Sequence, residues 1–331
     1  MSQLDRYSRQ VRYAQIGEAG QQRLLASRAL ICGCGALGSV IANTLARAGV
    51  GKLRIVDRDF LELNNLQRQV LYDEADVAAN LPKAIAAAEK LRQINSSIEI
   101  EPIVADVSAQ NILKLCEGCD VIVDGTDNFE TRFLLNEAAI KLNIPWIYGG
   151  CIGAEGQTLT IIPGVTPCFR CVMSEAPPPG TSPTCETAGI LGPIVNVVAS
   201  IQVAEAIKIL SGHREAVSRE LTVIDLWENR IRQLKLDQLR ASGGCATCRT
   251  DSLATEAERF AYLTSRRGSQ TAVLCGRNSV QLQPDVSADS QDRLNSISPA
   301  PRISLDALAE KLAPLGTITR NKFLLRCTIG E

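Results

Sequence analysis

The chain has 331 residues, 45% of them hydrophobic and 21% charged, a balance that fits a soluble globular protein and excludes a mainly disordered one. Thirty-five Lys and Arg stand against 36 Asp and Glu, a formal net charge of -1. No global charge therefore draws the molecule to nucleic acid or to an anionic membrane, and neither partner is expected.

The first residues, MSQLDRYSRQVRYA, are charged early and hold no apolar core, so they do not read as a signal peptide. The longest nearly apolar stretch, Ala188 to Ile201, is followed at once by Gln202 and Glu205 and is short of the roughly 20 residues a membrane span needs. The expected compartment is the cytoplasm. Twelve cysteines then point to metal or thiol chemistry more than to a disulfide framework. His213 is the sole histidine, so any catalytic triad would have to use it.

Taken in chain order, residues 28–32 read as a buried strand leading into Gly33-Cys-Gly35-Ala36-Leu-Gly38. A helix over Leu37–Ala48 closes at Gly49, and a strand over Lys52–Val56 ends at Asp57, 19 positions after Gly38. Further on, Pro82–Ile94 reads as a helix, Ile98–Val104 as a strand, and Ser108–Cys116 as a helix stopped by Gly118. Cys119–Asp124 is a strand, Asn128–Leu142 a helix and Pro145–Gly150 a strand. This alternation predicts an α/β fold with a doubly wound, mainly parallel sheet. The pattern then changes to antiparallel strands at Gln157–Ile162 and Glu220–Leu236, the second perceived as a hairpin, with a Pro/Gly-rich loop at Ala176–Pro183 and a long helix near Ile194–Leu210 between them. Helices at Thr255–Leu263 and Ser304–Leu312, with strands at Thr271–Leu274 and Lys322–Cys327, make a small α+β appendage. A domain boundary is placed near 250, giving units 1–250 and 251–331. The last strand lacks a visible hairpin partner.

The G-x-G-x-x-G run after a strand, with an acid some 20 residues later, fits a nucleotide whose phosphates sit at a helix N-terminus and whose ribose meets Asp57. The motif alone does not separate NAD from ATP. Asn64-Asn65-Leu66-Gln67-Arg68 and Pro82-Lys83 favour ATP, because two further cations suit a triphosphate. No Tyr has Lys four residues later, and no G-x-x-x-x-G-K-[ST] loop occurs. In Asp124-Gly-Thr-Asp127-Asn128, at the carboxyl end of a strand, Asp127 either holds Mg²⁺ or caps the next helix; Asp124 reads as structural.

Three C-x-x-C pairs occur, at 116/119, 168/171 and 245/248. The first spans a helix end and a strand start and reads as small buried hydrophobes. The other two lie in turn-like settings, and together they make a tetrahedral Cys₄ zinc site of the closed, structural type. Cys185, in a loop just before a long helix, is either a nucleophile or an incidental thiol.

In order, Arg6-Tyr-Ser-Arg9-Gln10, GCGALG, DRDF with NNLQRQ, Pro82-Lys83, DGTDNFETR, the paired C-x-x-C motifs and Cys185-Glu-Thr-Ala-Gly resemble the ThiF/MoeB/HesA adenylyltransferases over about residues 5–250. The resemblance implies MgATP-dependent adenylation of the C-terminal Gly-Gly carboxylate of a small ubiquitin-like sulfur carrier protein. It implies phosphate contacts from Gly33, Gly35, Ala36, Gly38, Asn65, Arg68 and Lys83, with Asp57 on the ribose, Asp127 on Mg²⁺ and Asn128 beside it. Asn64, Leu66 and Gln67 complete the nucleotide loop. Arg9 matches an arginine that reaches the second subunit's ATP, so a homodimer is expected, and Cys185 matches a cysteine that some members use to capture the activated carrier. Ala36 stands where many members have glycine. Two other readings are a tRNA-nucleoside dehydratase of the same superfamily, disfavoured by the two C-x-x-C pairs and the neutral charge, and an NAD(P)-dependent oxidoreductase, disfavoured by Arg68, Lys83 and Asp127.

Overall fold

The computed structural model describes residues 4–177, 185–241, 245–249, 254–264, 271–273, 280–282, 304–320 and 325–328. They fall into two compact units, residues 1–266 and 267–331. The first contains, in order, α1 (Ser8–Val11), α2 (Gly17–Ala26), β1 (Arg28–Cys32), α3 (Ala36–Ala48), β2 (Lys52–Val56), α4 (Glu74–Ala78), α5 (Lys83–Ile94), β3 (Glu99–Ile103), α6 (Ile112–Leu115), β4 (Val121–Asp124), α7 (Phe129–Leu142), β5 (Trp146–Ile152) and β6 (Glu155–Ile161). It continues with α8 (Phe169–Val172), α9 (Cys185–Ala188), α10 (Gly192–Ser211), β7 (Leu221–Asp225), β8 (Arg230–Leu234), α11 (Asp237–Ala241), α12 (Glu256–Arg259) and α13 (Ala261–Thr264).

Eight strands form one sheet in the order β3-β2-β1-β4-β5-β6-β7-β8. The first five run parallel and the last three antiparallel. This is the mainly parallel sheet with an antiparallel extension that the sequence pattern predicts. The order reverses beside β1, so the carboxyl ends of β1 and β4 open a crevice where open α/β sheets take their ligands.

One core cluster packs α3, α5 and α10 on one side of the sheet, through Ile41, Leu45, Leu91, Val195 and Val198 among others. The second packs α6 and α7 on the other side, around Phe133, Leu135, Trp146 and Phe169. Among the described residues α10, 20 residues long, is the one helix long and apolar enough to cross a membrane, with mean hydropathy 1.6 over an 18-residue stretch. It lies against α3, β5 and β6, and buries Gln202, Glu205 and Ser211. It is therefore longer than the apolar run read from sequence, and it serves as a core helix.

Three local expectations change. Ser108–Cys116 is helical only over Ile112–Leu115, because the Asn111 side chain accepts from Ser108 N and donates to Asp106 O, capturing the backbone in a turn. Helix α2 has no strong apolar period, and its buried residues include Gly20 and Gln21, so it escaped notice. Residues 254–264, beyond the boundary expected near 250, pack on the first unit: Tyr262 stacks on Phe133 with centroids 5.0 Å apart, and Glu137 accepts from Leu263 N at 2.9 Å.

The second unit pairs β9 (Thr271–Val273) with β10 (Val280–Leu282). It then has α14 (Leu305–Leu312) and an antiparallel hairpin of β11 (Thr317–Arg320) with β12 (Leu325–Thr328). The last strand's partner thus precedes it in the chain. The polar stretch Pro284–Arg302 between these elements, which reads from sequence as a connector, lies outside the described residues.

Candidate active site

The glycine run turns from β1 into α3. Gly33 has φ +83°, and a Cβ on Gly38 would stand 1.9 Å from Gly33 O. A Cβ on Gly125 would come within 2.5 Å of the same oxygen. Those three glycines let loop, helix and β4 approach one another. Gly35 differs: a Cβ there would meet nothing nearer than Gln69 Nε2 at 3.7 Å, so its open side faces the crevice. No side chain caps α3, and the first-turn N–H groups beginning at Ala36 are free to meet an anion.

Asp57 closes β2 beneath this loop. Its Oδ2 accepts from Cys34 N at 2.6 Å and its Oδ1 from Asp59 N at 2.7 Å. Burial pushes its pKa up, and the neighbouring Lys83 opposes that rise. Both oxygens are engaged, yet each keeps a lone pair for a ribose hydroxyl. Lys83, buried at the start of α5, reaches Asp59 Oδ2 at 2.9 Å. Burial works against its charge, but Asp57, Asp59 and Asp127 outweigh it and hold the lysine protonated above its ordinary pKa. Sequence reasoning gave Asp59 no part. Tyr72, also unnoticed, donates to Cys34 O at 2.6 Å and ties the glycine loop to α5. Cys34 itself is buried, which pushes its thiol pKa up to about 12 and leaves it inert.

The loop after β2 makes a tight turn at Leu63–Asn65. Asn65 is buried; its side chain accepts from Glu62 N and donates to Asn64 Oδ1. Arg68 curls back to Asn64 O at 2.9 Å. Asn64 and Gln67 are exposed and Leu66 is half-buried against the core. Gln67 O lies where a Cβ on Gly192 would come within 3.2 Å, so this loop abuts the first residue of α10. Asn65 and Arg68 are thus occupied within their own loop here, and Arg68 would have to swing outward to meet a phosphate.

After β4, Asn128 caps α7, accepting from Thr131 N at 2.8 Å. The cap is therefore not Asp127, which is exposed and makes no hydrogen bond among the described residues. That removes the structural alternative for Asp127 and occupies Asn128 instead. Asp124 is fully buried; burial raises its pKa to about 6 against the pull of Arg132.

The cysteines at 168, 171, 245 and 248 converge, with all four Sγ atoms within 4.8 Å of one another. Cys168 lies 3.9 Å from Cys171 and 3.6 Å from Cys245, and Cys171 lies 3.4 Å from Cys248. Four sulfurs about 2.3 Å from one tetrahedral ion would be about 3.8 Å apart, so the donor set fits zinc. Hydrogen bonds from Cys168 and Cys171 hold Cys248 down at about 7 and push Cys245 lower still. By contrast Cys116 is buried with its pKa raised to about 12, as expected of a packing residue. Cys185 opens the one-turn helix α9; its side chain, like residues 178–184 before it, lies outside the described residues.

Arg9 is exposed on α1. That segment is pinned at the far end of α3: Gln10 donates to Ala48 O at 2.9 Å, and Asn95 bridges Tyr7 Oη and Ala46 O. The 13 residues of α3 span about 19 Å, which separates Arg9 from its own chain's glycine loop.

The ThiF family profile matches residues 7–248. The chain belongs to the ThiF family. It is 42% identical to the sulfur carrier protein ThiS adenylyltransferase of Bacillus subtilis, over 97% of this chain and 89% of that protein. It is 40% identical to the SAMP-activating enzyme E1 of Haloferax volcanii, over 75% of this chain and 89% of that one. Among solved structures it resembles E. coli MccB with ATP, at 26% identity and TM-score 0.60, covering 70% of this chain and 71% of MccB.

Proposed function

We propose that this chain adenylates the C-terminal Gly-Gly carboxylate of a small ubiquitin-like sulfur carrier protein, using MgATP. The single observation that carries the reading is the group of charges at one crevice: an uncapped α3 N-terminus, the buried Lys83 cation, and the uncommitted carboxylate of Asp127 within electrostatic reach of Lys83. The names of the Bacillus and Haloferax relatives point to the same reaction.

In this reading the phosphates lie on Gly35 and Ala36, with Gly33 and Gly38 shaping the turn. Asp57 takes the ribose, while Asn64, Asn65, Leu66 and Gln67 wall the nucleotide and Asn128 lines the entrance. A carrier carboxylate oxygen attacks the α-phosphorus, and the bond from that phosphorus to the β-bridging oxygen breaks. Lys83 and a reoriented Arg68 stabilise the charge growing on the departing pyrophosphate. Asp127 would hold Mg²⁺, which neutralises the phosphates when bound. Arg9 serves the site of a second copy in a homodimer, as its distance along α3 from its own site favours. Cys168, Cys171, Cys245 and Cys248 hold a structural Zn²⁺. Cys185 Sγ attacks the acyl-adenylate carbonyl, AMP leaves, and a thioester results. Residues 1–266 carry the chemistry and 267–331 form an appendage.

The test is ATP–pyrophosphate exchange with a carrier ending in a free Gly-Gly and with one lacking it. Exchange only with the former is expected. Carrier-dependent NADH oxidation without ATP use would overturn the reading. The Cys185→Ala variant should keep exchange and lose the thiol-sensitive carrier adduct; sulfur transfer at the normal rate would remove Cys185 from the mechanism.

A further inference from the structure

The run Asp124 to Arg132 ends in a residue to which the proposed reaction gives no part. Arg132 sits in the first turn of α7 and is buried. Its Nη2 donates to Thr126 O at 2.9 Å and to Gly149 O at 3.2 Å. Its Nε lies 3.6 Å from Asp124 Oδ2, too far for a hydrogen bond, and both atoms are buried with no other partner among the described residues. The guanidinium also sits 5.4 Å from the Phe129 ring centroid and 5.2 Å from that of Tyr148.

Asp124 meets the same loop from below. Its Oδ1 accepts from Thr126 N at 2.8 Å and from Thr126 Oγ1 at 2.7 Å. Every polar group of Thr126 is therefore held: N–H and hydroxyl by Asp124, carbonyl by Arg132. The next residue is Asp127, whose carboxylate has no hydrogen bond among the described residues to orient it. The clamp is also anchored away from the loop. Gln202 Nε2 donates to Asp124 O at 2.9 Å and to Ile147 O at 3.1 Å. Gly149 lacks the Cβ that would meet the Gln202 amide at 2.5 Å, and a Cβ on Gly150 would lie 3.4 Å from Arg132 Nη2.

A buried ion pair at hydrogen-bond distance would be explained by its own stability. This one is slack, and leaves one polar atom on each partner unmet, which costs stability rather than adding it. The shortest hydrogen bonds made by the two side chains go instead to the one residue that precedes Asp127.

We propose that Arg132 is a positioning residue: with Asp124 it clamps Thr126, and so fixes the Asp127 carboxylate for the divalent cation on the nucleotide's phosphates. The proposal rests on the reading of Asp127 as the carboxylate for that cation.

The test is calorimetric binding of ATP with and without Mg²⁺, with no carrier present. The quantity read is the factor by which Mg²⁺ tightens ATP. Arg132→Lys should cut that factor by about tenfold, the scale of losing a residue behind a metal ligand, and leave metal-free ATP affinity unchanged. Thr126→Val, which removes only the hydroxyl donor and keeps the side chain's shape, should cut it about threefold, one hydrogen bond's worth. Asp127→Asn is the reference. If Asp127→Asn abolishes the Mg²⁺ effect while Arg132→Lys and Thr126→Val keep it, the clamp is overturned alone. If Asp127→Asn also keeps it, the reading of Asp127 falls and the clamp with it. An equal loss of metal-free affinity in Arg132→Lys would make the residue a general support of the pocket, and would overturn the positioning role.

Discussion

The crevice at the carboxyl ends of β1 and β4 and the four-cysteine centre both gather polar groups, but they treat them in opposite ways. In the crevice, groups that could bind are left unfinished: α3 has no side-chain cap, Gly35 faces open space, and Asp127 has no hydrogen bond among the described residues. At the cysteines, four sulfurs close on one another, with Phe169 packed among Phe133, Trp146 and Tyr148 behind them. An open set invites a substrate that comes and goes, whereas a closed tetrahedral set leaves no position for one. The first is read as chemistry and the second as architecture.

The sharpest way to break that division is to damage each centre and ask what fails. Cys168→Ser should cost about 4 kcal/mol of stability or more, as loss of a structural metal does, and should lower the zinc content. Urea unfolding and metal analysis check this, and ATP binding at temperatures where the variant stays folded should be kept. A metal-free protein of equal stability would erase the contrast. Asp127→Ala should do the reverse, lowering exchange by about 10²-fold or more with no change in melting temperature.

Lys83→Met probes a residue that belongs to both descriptions. Its loss takes the buried cation from between Asp57 and Asp59, which then repel each other, while Arg58 Nε stays 3.6 Å from Asp59 Oδ1. Because Asp59 is 41% exposed, water screens part of that repulsion, and the stability cost should be about 2 kcal/mol, below the value for a fully buried pair. Exchange should fall as well, so a purely structural or purely catalytic effect would count against the arrangement.

The smallest effect concerns Asp124. Its folded pKa of about 6 lies above the ordinary 3.8, chiefly because of burial. The stability this gives is full below about pH 3.8 and is lost as pH rises through 6. Wild type should therefore gain on Asp124→Asn by about 1 kcal/mol between pH 7 and pH 5, read from urea unfolding at the two pH values.

What the sequence reveals is what lies close together along it. The glycine run, the C-x-x-C knuckles and the strand–helix alternation up to β5 need only local spacing, and apart from the shortened α6 the expected elements stand where that spacing puts them. The sequence offers Asp127 as a cap of α7 and overlooks its neighbour, although either side chain can accept from the first turn; the backbone path gives the cap to Asn128. The Lys83–Asp59 pair, the Tyr72 hydroxyl on Cys34 O and the Arg132 clamp join residues 24, 38 and up to 17 positions apart. No periodicity marks such pairs. The remoteness of Arg9 from its own glycine loop also became visible only once α1 was seen at the far end of α3.

The central claim is that a carrier carboxylate meets the α-phosphorus of ATP in the crevice. The most direct measurement is the intact mass of a Gly-Gly carrier after incubation with the protein and MgATP, with Cys185→Ala used to prevent onward transfer. The account predicts a carrier heavier by one adenylyl group, with pyrophosphate released in equal amount. A carrier heavier by one phosphoryl group with ADP released, or an unmodified carrier despite ATP consumption, would contradict it.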